Sequence, residues 1–194
     1  MKSDGEPTYF LSDISGFDYL FDPYVRSKWS YGSVKPCEFD DGVVNLYPGA
    51  CLVTSDREFQ DFVVKGDVCR YKGKGPVLVG FRHGKRGVYT VVFGQRCGVV
   101  YNRGGDCKVK RLWTAEGNVS VSEWTPFEIA VRDGVLYVTI DSISSGPIKN
   151  IEITKTEIFI KAEGCHAGFR NLVGGKRRKK DVSVERGNRD RRDA

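Results

Sequence analysis

The side chains in this chain best suited to chemistry are six cysteines, two histidines and one run of cations. Cys37, Cys51, Cys69, Cys97, Cys107 and Cys165 stand singly, and none forms the C-x-x-C pair that a zinc ribbon or a thioredoxin-like centre needs. Their even number permits disulfides, yet no export signal explains an oxidising compartment. Two alternatives follow: cross-links of the kind found inside hyperthermophiles, or reduced thiols serving as small core residues. One Met and two Gln agree with a hyperthermophilic setting, where thermolabile residues are depleted. His83 sits in a Gly- and Lys-rich stretch, and two histidines give a His-based metal site or a Ser-His-Asp triad little to draw on. No metal or cofactor is expected. Asn118-Val119-Ser120 matches a glycosylation sequon and, without an export signal, reads as chance.

Lys176-Arg177-Arg178-Lys179-Lys180 is the most specific electrostatic feature. Consecutive cations attract polyanions and release counterions on binding, which gives non-specific, salt-dependent contact with nucleic acid. No aromatic lies within the run, so base stacking is not indicated, and a solvated tail that aids solubility is the alternative. Residues 175–194 hold nine Lys or Arg against four Asp or Glu, whereas the rest of the chain holds 22 against 21. Most of the net charge of +6 therefore belongs to the tail.

The elements that would position these groups are strands. With 24 Val and 9 Ile against 8 Leu and 6 Ala, the chain favours pleated surfaces over helices, because branched side chains lose freedom on a helix. Its 194 residues suffice for one sizeable core. No apolar run approaches a membrane span, and the start lacks the uninterrupted apolar segment of a signal peptide. A soluble protein, intracellular or part of a virion, is expected.

Short Val/Ile/aromatic runs separated by Gly, Asp and Asn extend from Trp29 to Leu172 and predict about eleven to thirteen strands with no helix. The clearest hairpin joins Phe127–Arg132 to Val135–Ile140 through Asp133-Gly134, since Gly accepts the positive φ that such turns demand. That many strands close into two packed sheets. The expected divisions are 1–28, whose Phe17, Tyr19, Leu20, Phe21 and Tyr24 pack along the sandwich; 29–173, the sandwich; and 174–194, a disordered basic tail.

The order of features resembles the concanavalin A-like jelly roll, and more narrowly the 3-keto-disaccharide hydrolase-like domain. The residues that carry the resemblance are Trp29, the Asp41–Gly49 stretch, Phe59-Gln60-Asp61-Phe62, Phe81-Arg82, Gly87-Val88-Tyr89, Trp124-Thr125-Pro126-Phe127 and Phe169-Arg170-Asn171-Leu172. It implies an all-β, two-sheet antiparallel sandwich that binds sugars or polymers on a concave sheet. By type, Arg82, His83, Tyr89, Tyr101, Asn102 and Trp113 are the candidate ligand contacts. Trp124 reads sooner as strand-end packing.

The family's catalytic pattern is not retained. Its Gly-Tyr-Glu segment has Thr90 in place of the Glu, and the related Glu-x-Asp-x-x-Glu pattern is met only by Glu152 to Glu157, with Thr154 at the Asp position. Glycoside hydrolysis needs two carboxyls with separated pKa values, and residues five apart on a strand face opposite ways. Glu152 to Glu157 then reads as an edge strand with solvated charges. The expectation is a non-catalytic lectin-like binding or assembly module, able to form oligomers, for a carbohydrate or protein ligand. A basic arm on a jelly roll also suits a virion protein that neutralises packaged nucleic acid. The alternative is a glycoside-active hydrolase or lyase.

Overall fold

The computed structural model describes residues 29–31, 37–54, 61–83, 87–103, 109–116, 120–151, 153 and 156–176; for residues 29–31, 82, 83 and 176 the description is of the backbone. Fourteen strands make up the regular structure of these residues: β1 (Trp29–Tyr31), β2 (Cys37–Asp40), β3 (Val43–Leu46), β4 (Cys51–Thr54), β5 (Phe62–Gly73), β6 (Val77–His83), β7 (Gly87–Phe93), β8 (Gly98–Arg103), β9 (Val109–Thr114), β10 (Thr125–Arg132), β11 (Val135–Ile140), β12 (Ile143–Ser144), β13 (Ile158–Ala162) and β14 (Cys165–Lys176). Sheet A runs in the order β1-β4-β13-β6-β7-β8-β9, and sheet B in the order β12-β11-β10-β5-β14-β3-β2. All pairings are antiparallel.

Alternation along the strands places one face of each sheet inward. In β10, Phe127, Ile129 and Val131 are buried, and in β11 so are Leu136, Val138 and Ile140. Sheet A answers with Val77, Val79 and Phe81 on β6 and Tyr89, Val91 and Phe93 on β7. Rings join the layers edge to face, Phe62 against Phe81 at 5.3 Å and Phe93 against Phe127 at 5.1 Å.

The Asp133-Gly134 hairpin forms as expected. Arg132 pairs with Val135, and the two turn residues have φ of 48° and 72°, the left-handed pair that matches strand twist. Asp41-Gly42 makes a second such turn between β2 and β3, with φ of 41° and 75°.

Three features differ from the sequence reading. The strand count is higher because β1, β2 and β12, with four residues at most, are too short to show a period. β14 runs through Gly174 and Gly175 to Lys176, which pairs with Phe62, so the glycine pair continues the last strand. Among the described residues, Cys37, Cys51, Cys69, Cys97 and Cys165 form no disulfide with one another. Burial pushes the Cys69, Cys97 and Cys165 thiols up. Cys107, residues 1–28 and the cations Arg177, Arg178, Lys179 and Lys180 lie outside the described residues.

Candidate functional site

The expected ligand residues do not share one surface. Tyr89 is 6% exposed, its ring stacked on Phe81 at 5.6 Å and 4.6 Å from Tyr101. Tyr101 and the half-buried Trp113 pack against the same core. These three rings therefore face the interior, where they build the sandwich. Asn102 is exposed and follows Tyr101 on β8. Arg82 and His83 close β6, paired with Val88 and Gly87.

Carboxyl groups separate the two sheets more sharply. The seven strands of sheet A contain no Asp or Glu, whereas those of sheet B contain Glu38, Asp40, Asp67 and Glu128. Thr90, at the position of the family's Glu, is 9% exposed in sheet A and pairs with Gly80 and Val100. Glycoside hydrolysis by a carboxyl pair has no groups to use on the strands of that sheet. Glu157 is exposed just before β13, and Glu152 lies outside the described residues. β13 itself, which follows Glu157, pairs with both β4 and β6 and is no edge strand.

The side chains that do converge lie on the outer face of sheet B. On β14 the buried Ala167 and Phe169 point inward, which leaves His166, Gly168 and Arg170 on the other side. Pairing with β5 is irregular twice, between His166 and Ala167 and between Arg170 and Val173. The first irregularity makes Tyr71 an extra residue on β5; the second puts Asn171 at φ 52° on β14. Such bulges re-aim side chains without ending a strand.

Tyr47 stacks on His166 at 4.6 Å, and Tyr71 meets His166 edge-on at 5.1 Å and Trp124 at 5.9 Å. The Arg170 guanidinium lies 4.4 Å over the Trp124 ring. Gly168 forms the floor, because a Cβ there would stand 2.2 Å from the Tyr71 hydroxyl and 3.0 Å from Trp124. Asp67 accepts hydrogen bonds from Arg170 Nε at 3.0 Å and Asn171 Nδ2 at 2.9 Å. The Tyr47 hydroxyl donates to Glu38 at 2.9 Å, and this bond holds the phenol above its ordinary pKa. Burial does the same for Tyr71, although that side chain still keeps 45% of its surface in solvent.

Beside this cluster runs a groove of about 470 Å³, lined among others by Lys65, Asp67, Glu128, Thr139 and Asn171. Asp67 and Asn171 thus belong to both. Burial raises the Glu128 pKa, with Lys65 and Arg132 opposing. Among the described residues no group of three or more His, Cys, Asp or Glu is placed to hold a metal ion, and no helix is long and apolar enough to cross a membrane.

The sequence reading missed this site. Tyr71 on β5, His166 and Arg170 on β14 and Tyr47 just after β3 are brought together only by sheet order, and Phe169-Arg170-Asn171 was legible only as a fold marker. The available signal was the alternation of His166, Gly168 and Arg170 with Ala167 and Phe169.

No family model matches the chain, and no curated protein matches it in sequence. Solved structures do match. The carbohydrate binding module CBM66 from Bacillus subtilis superposes with a TM-score of 0.63 at 11% identity, over 76% of this chain and 95% of that one. A beta-1,3-1,4-glucanase (lichenase) from a mouse hindgut metagenome gives 0.58 at 15%, over 84% and 97%. A protein of unknown function with a galectin-like fold from Bacillus subtilis gives 0.57 at 12%, over 77% and 89%. The fold is the concanavalin A-like jelly roll, an all-β sandwich of two antiparallel sheets.

Proposed function

We propose that this protein is a non-catalytic, lectin-like module whose sheet B outer face binds carbohydrate. The observation that carries the reading is the cluster of Tyr47, Tyr71, Trp124 and His166 around Arg170, with Asp67 and Asn171 at its edge. Sugars present apolar C–H faces and rings of hydroxyls, and their recognition calls for aromatic faces beside fixed donors and acceptors. Here Arg170 is held by both Trp124 and Asp67, so little side-chain freedom remains to be lost on binding. The carbohydrate binding module and the galectin-like protein among the fold neighbours agree with this use of the scaffold. A glycan array probed with the full chain tests it: binding to one glycan class that Trp124→Ala weakens supports the reading, and a blank array sinks it.

A glycoside-active enzyme is the second reading, and one observation favours it. Asp67 and Glu128 line the same groove from neighbouring strands, and burial keeps the Glu128 proton on to higher pH, as a general acid requires. Against it, Asp67 is engaged by Arg170 and Asn171. Turnover of a β-glucan, abolished by both Glu128→Gln and Asp67→Asn, would establish the enzyme and displace the first reading.

The cationic run Lys176-Arg177-Arg178-Lys179-Lys180 extends the proposal to polyanions. A chain ending at Lys176 is expected to lose DNA binding that the full chain shows at low salt. Equal binding by the two would remove the tail from the account.

A further inference from the structure

Two outward rows of side chains cross sheet B beside the ring cluster, and the space between them is the groove. The strand register sets Thr139 of β11, Glu128 of β10, Lys65 of β5 and Val173 of β14 in one row, and Pro126, Asp67 and Arg170 in the next. The residues between the rows leave that space clear. Ile140 and Phe127 are buried in the core, and Gly66, which pairs with Phe127, has no side chain, so the floor is backbone. At the β11 end the Asp141 amide donates to the Pro126 carbonyl at 2.8 Å. At the β14 end the irregular pairing sets the Asn171 side chain on Asp67, at 2.9 Å.

Dimensions narrow the choice of occupant. Rows two residues apart along a strand stand about 7 Å from one another, too close for a helix of roughly 10–12 Å. An extended peptide would gain no ladder bonds, since β5 and β10 are paired on both sides. The groove crosses β11, β10, β5 and β14, a length of roughly 14 Å at the usual strand spacing. Charge narrows it further. Lys65 is the single cation among the lining residues and stands opposite Glu128, whereas Asp67, Glu128 and Asp141 supply carboxyl groups. With Thr139 and Asn171 beside them, these groups accept from and donate to sugar hydroxyls, while a uronate or sulfate would meet like charge.

We propose that the ligand of sheet B is a linear, uncharged glycan longer than a disaccharide, one stretch held at the rings of Tyr71 and Trp124 and the next lying in the groove. The proposal rests on the carbohydrate-binding reading above and adds to it a length and a charge. Asp67 marks the joint, because it lines the groove and also holds Arg170, whose guanidinium lies over Trp124. A disaccharide seated on the rings leaves Glu128 and Thr139 without a partner. A longer chain held at the rings delivers its next sugars to the groove at high effective concentration, so affinity grows with length.

Titration calorimetry of the full chain with cello-, laminari-, manno- and fructo-oligosaccharides, each from disaccharide to hexasaccharide, tests it. In one series affinity is expected to rise about tenfold or more with length. Thr139→Ala and Glu128→Ala, made singly and checked by near-UV circular dichroism, are expected to remove most of that rise while the shortest ligand binds as before. Trp124→Ala is expected to weaken every length. An oligogalacturonate of equal length is expected not to displace the bound hexasaccharide. Equal affinity at all lengths, or a rise that both groove variants keep, overturns the proposal while sensitivity to Trp124→Ala still supports the binding reading. Displacement by the oligogalacturonate overturns it as well, and failure of every series to bind sinks both.

Discussion

At the scale of single residues, Gly168 and Glu128 give the sharpest tests of how the sheet B face is built. A methyl group at Gly168 would meet the far ends of the Tyr71 and Trp124 side chains, which can swing away, and no backbone lies among its nearest neighbours. Gly168→Ala is therefore expected to cost no more than about 1 kcal/mol of stability yet weaken glycan binding, as read by thermal denaturation and titration calorimetry. Gly75→Ala is the contrast: its Cβ would fall 1.4 Å from the Glu163 carbonyl oxygen, so backbone must move and a loss of several kcal/mol is expected. Glu128 is raised from 4.5 by burial, with Lys65 and Arg132 offsetting part of the effect. A carboxyl whose pKa is raised by folding favours the fold most below its unfolded value and loses that contribution as pH climbs through the folded one. Glu128→Gln is thus expected to raise the melting temperature at pH 7, with the gain vanishing near pH 4; a gain independent of pH would contradict burial as the cause.

At the scale of elements, the Asp133-Gly134 turn is the part most directly written in the sequence, and it carries its own prediction. Gly134 has φ 72°, a conformation that costs an L side chain roughly 1–2 kcal/mol, so Gly134→Ala should lower stability by about that amount in denaturant melts. β10 and β11 were legible because Phe127, Ile129 and Val131, then Leu136, Val138 and Ile140, recur with period two on either side of the turn. β14 was only partly legible. Its two irregular pairings change which residues stand opposite one another, so Tyr71 and Asn171 occupy positions that strict alternation does not forecast. The rings chosen by type, Tyr89, Tyr101 and Trp113, illustrate the same limit: residue type alone does not tell which face a ring takes, and register with the buried Phe81 and Val99 turns these inward.

At the scale of the whole molecule, the two last strands join the two halves of the chain. β13 lies between β4 and β6, and β14 between β3 and β5, so neither sheet is complete until the C-terminal strands insert. Such non-local pairing predicts folding on the millisecond-to-second scale, and a chain cut before β13 should show no cooperative unfolding. The arrangement also sorts side chains by sheet: sheet A has no carboxyl in its strands, while the ring cluster around Arg170 and its partner Asp67 lies on sheet B. Composition foretold an all-β sandwich and the resemblance a jelly roll, but neither foretold this division, which arises from strand order. The most direct test of the binding assignment is titration of the full chain and of Tyr71→Ala with the glycan found on the array, beside Asn102→Ala as a control on the opposite sheet. The account predicts a loss of about tenfold or more in affinity for Tyr71→Ala, equivalent to roughly 1.4 kcal/mol, with Asn102→Ala unchanged. Equal affinity for Tyr71→Ala and the parent chain, or a loss confined to Asn102→Ala, would contradict it.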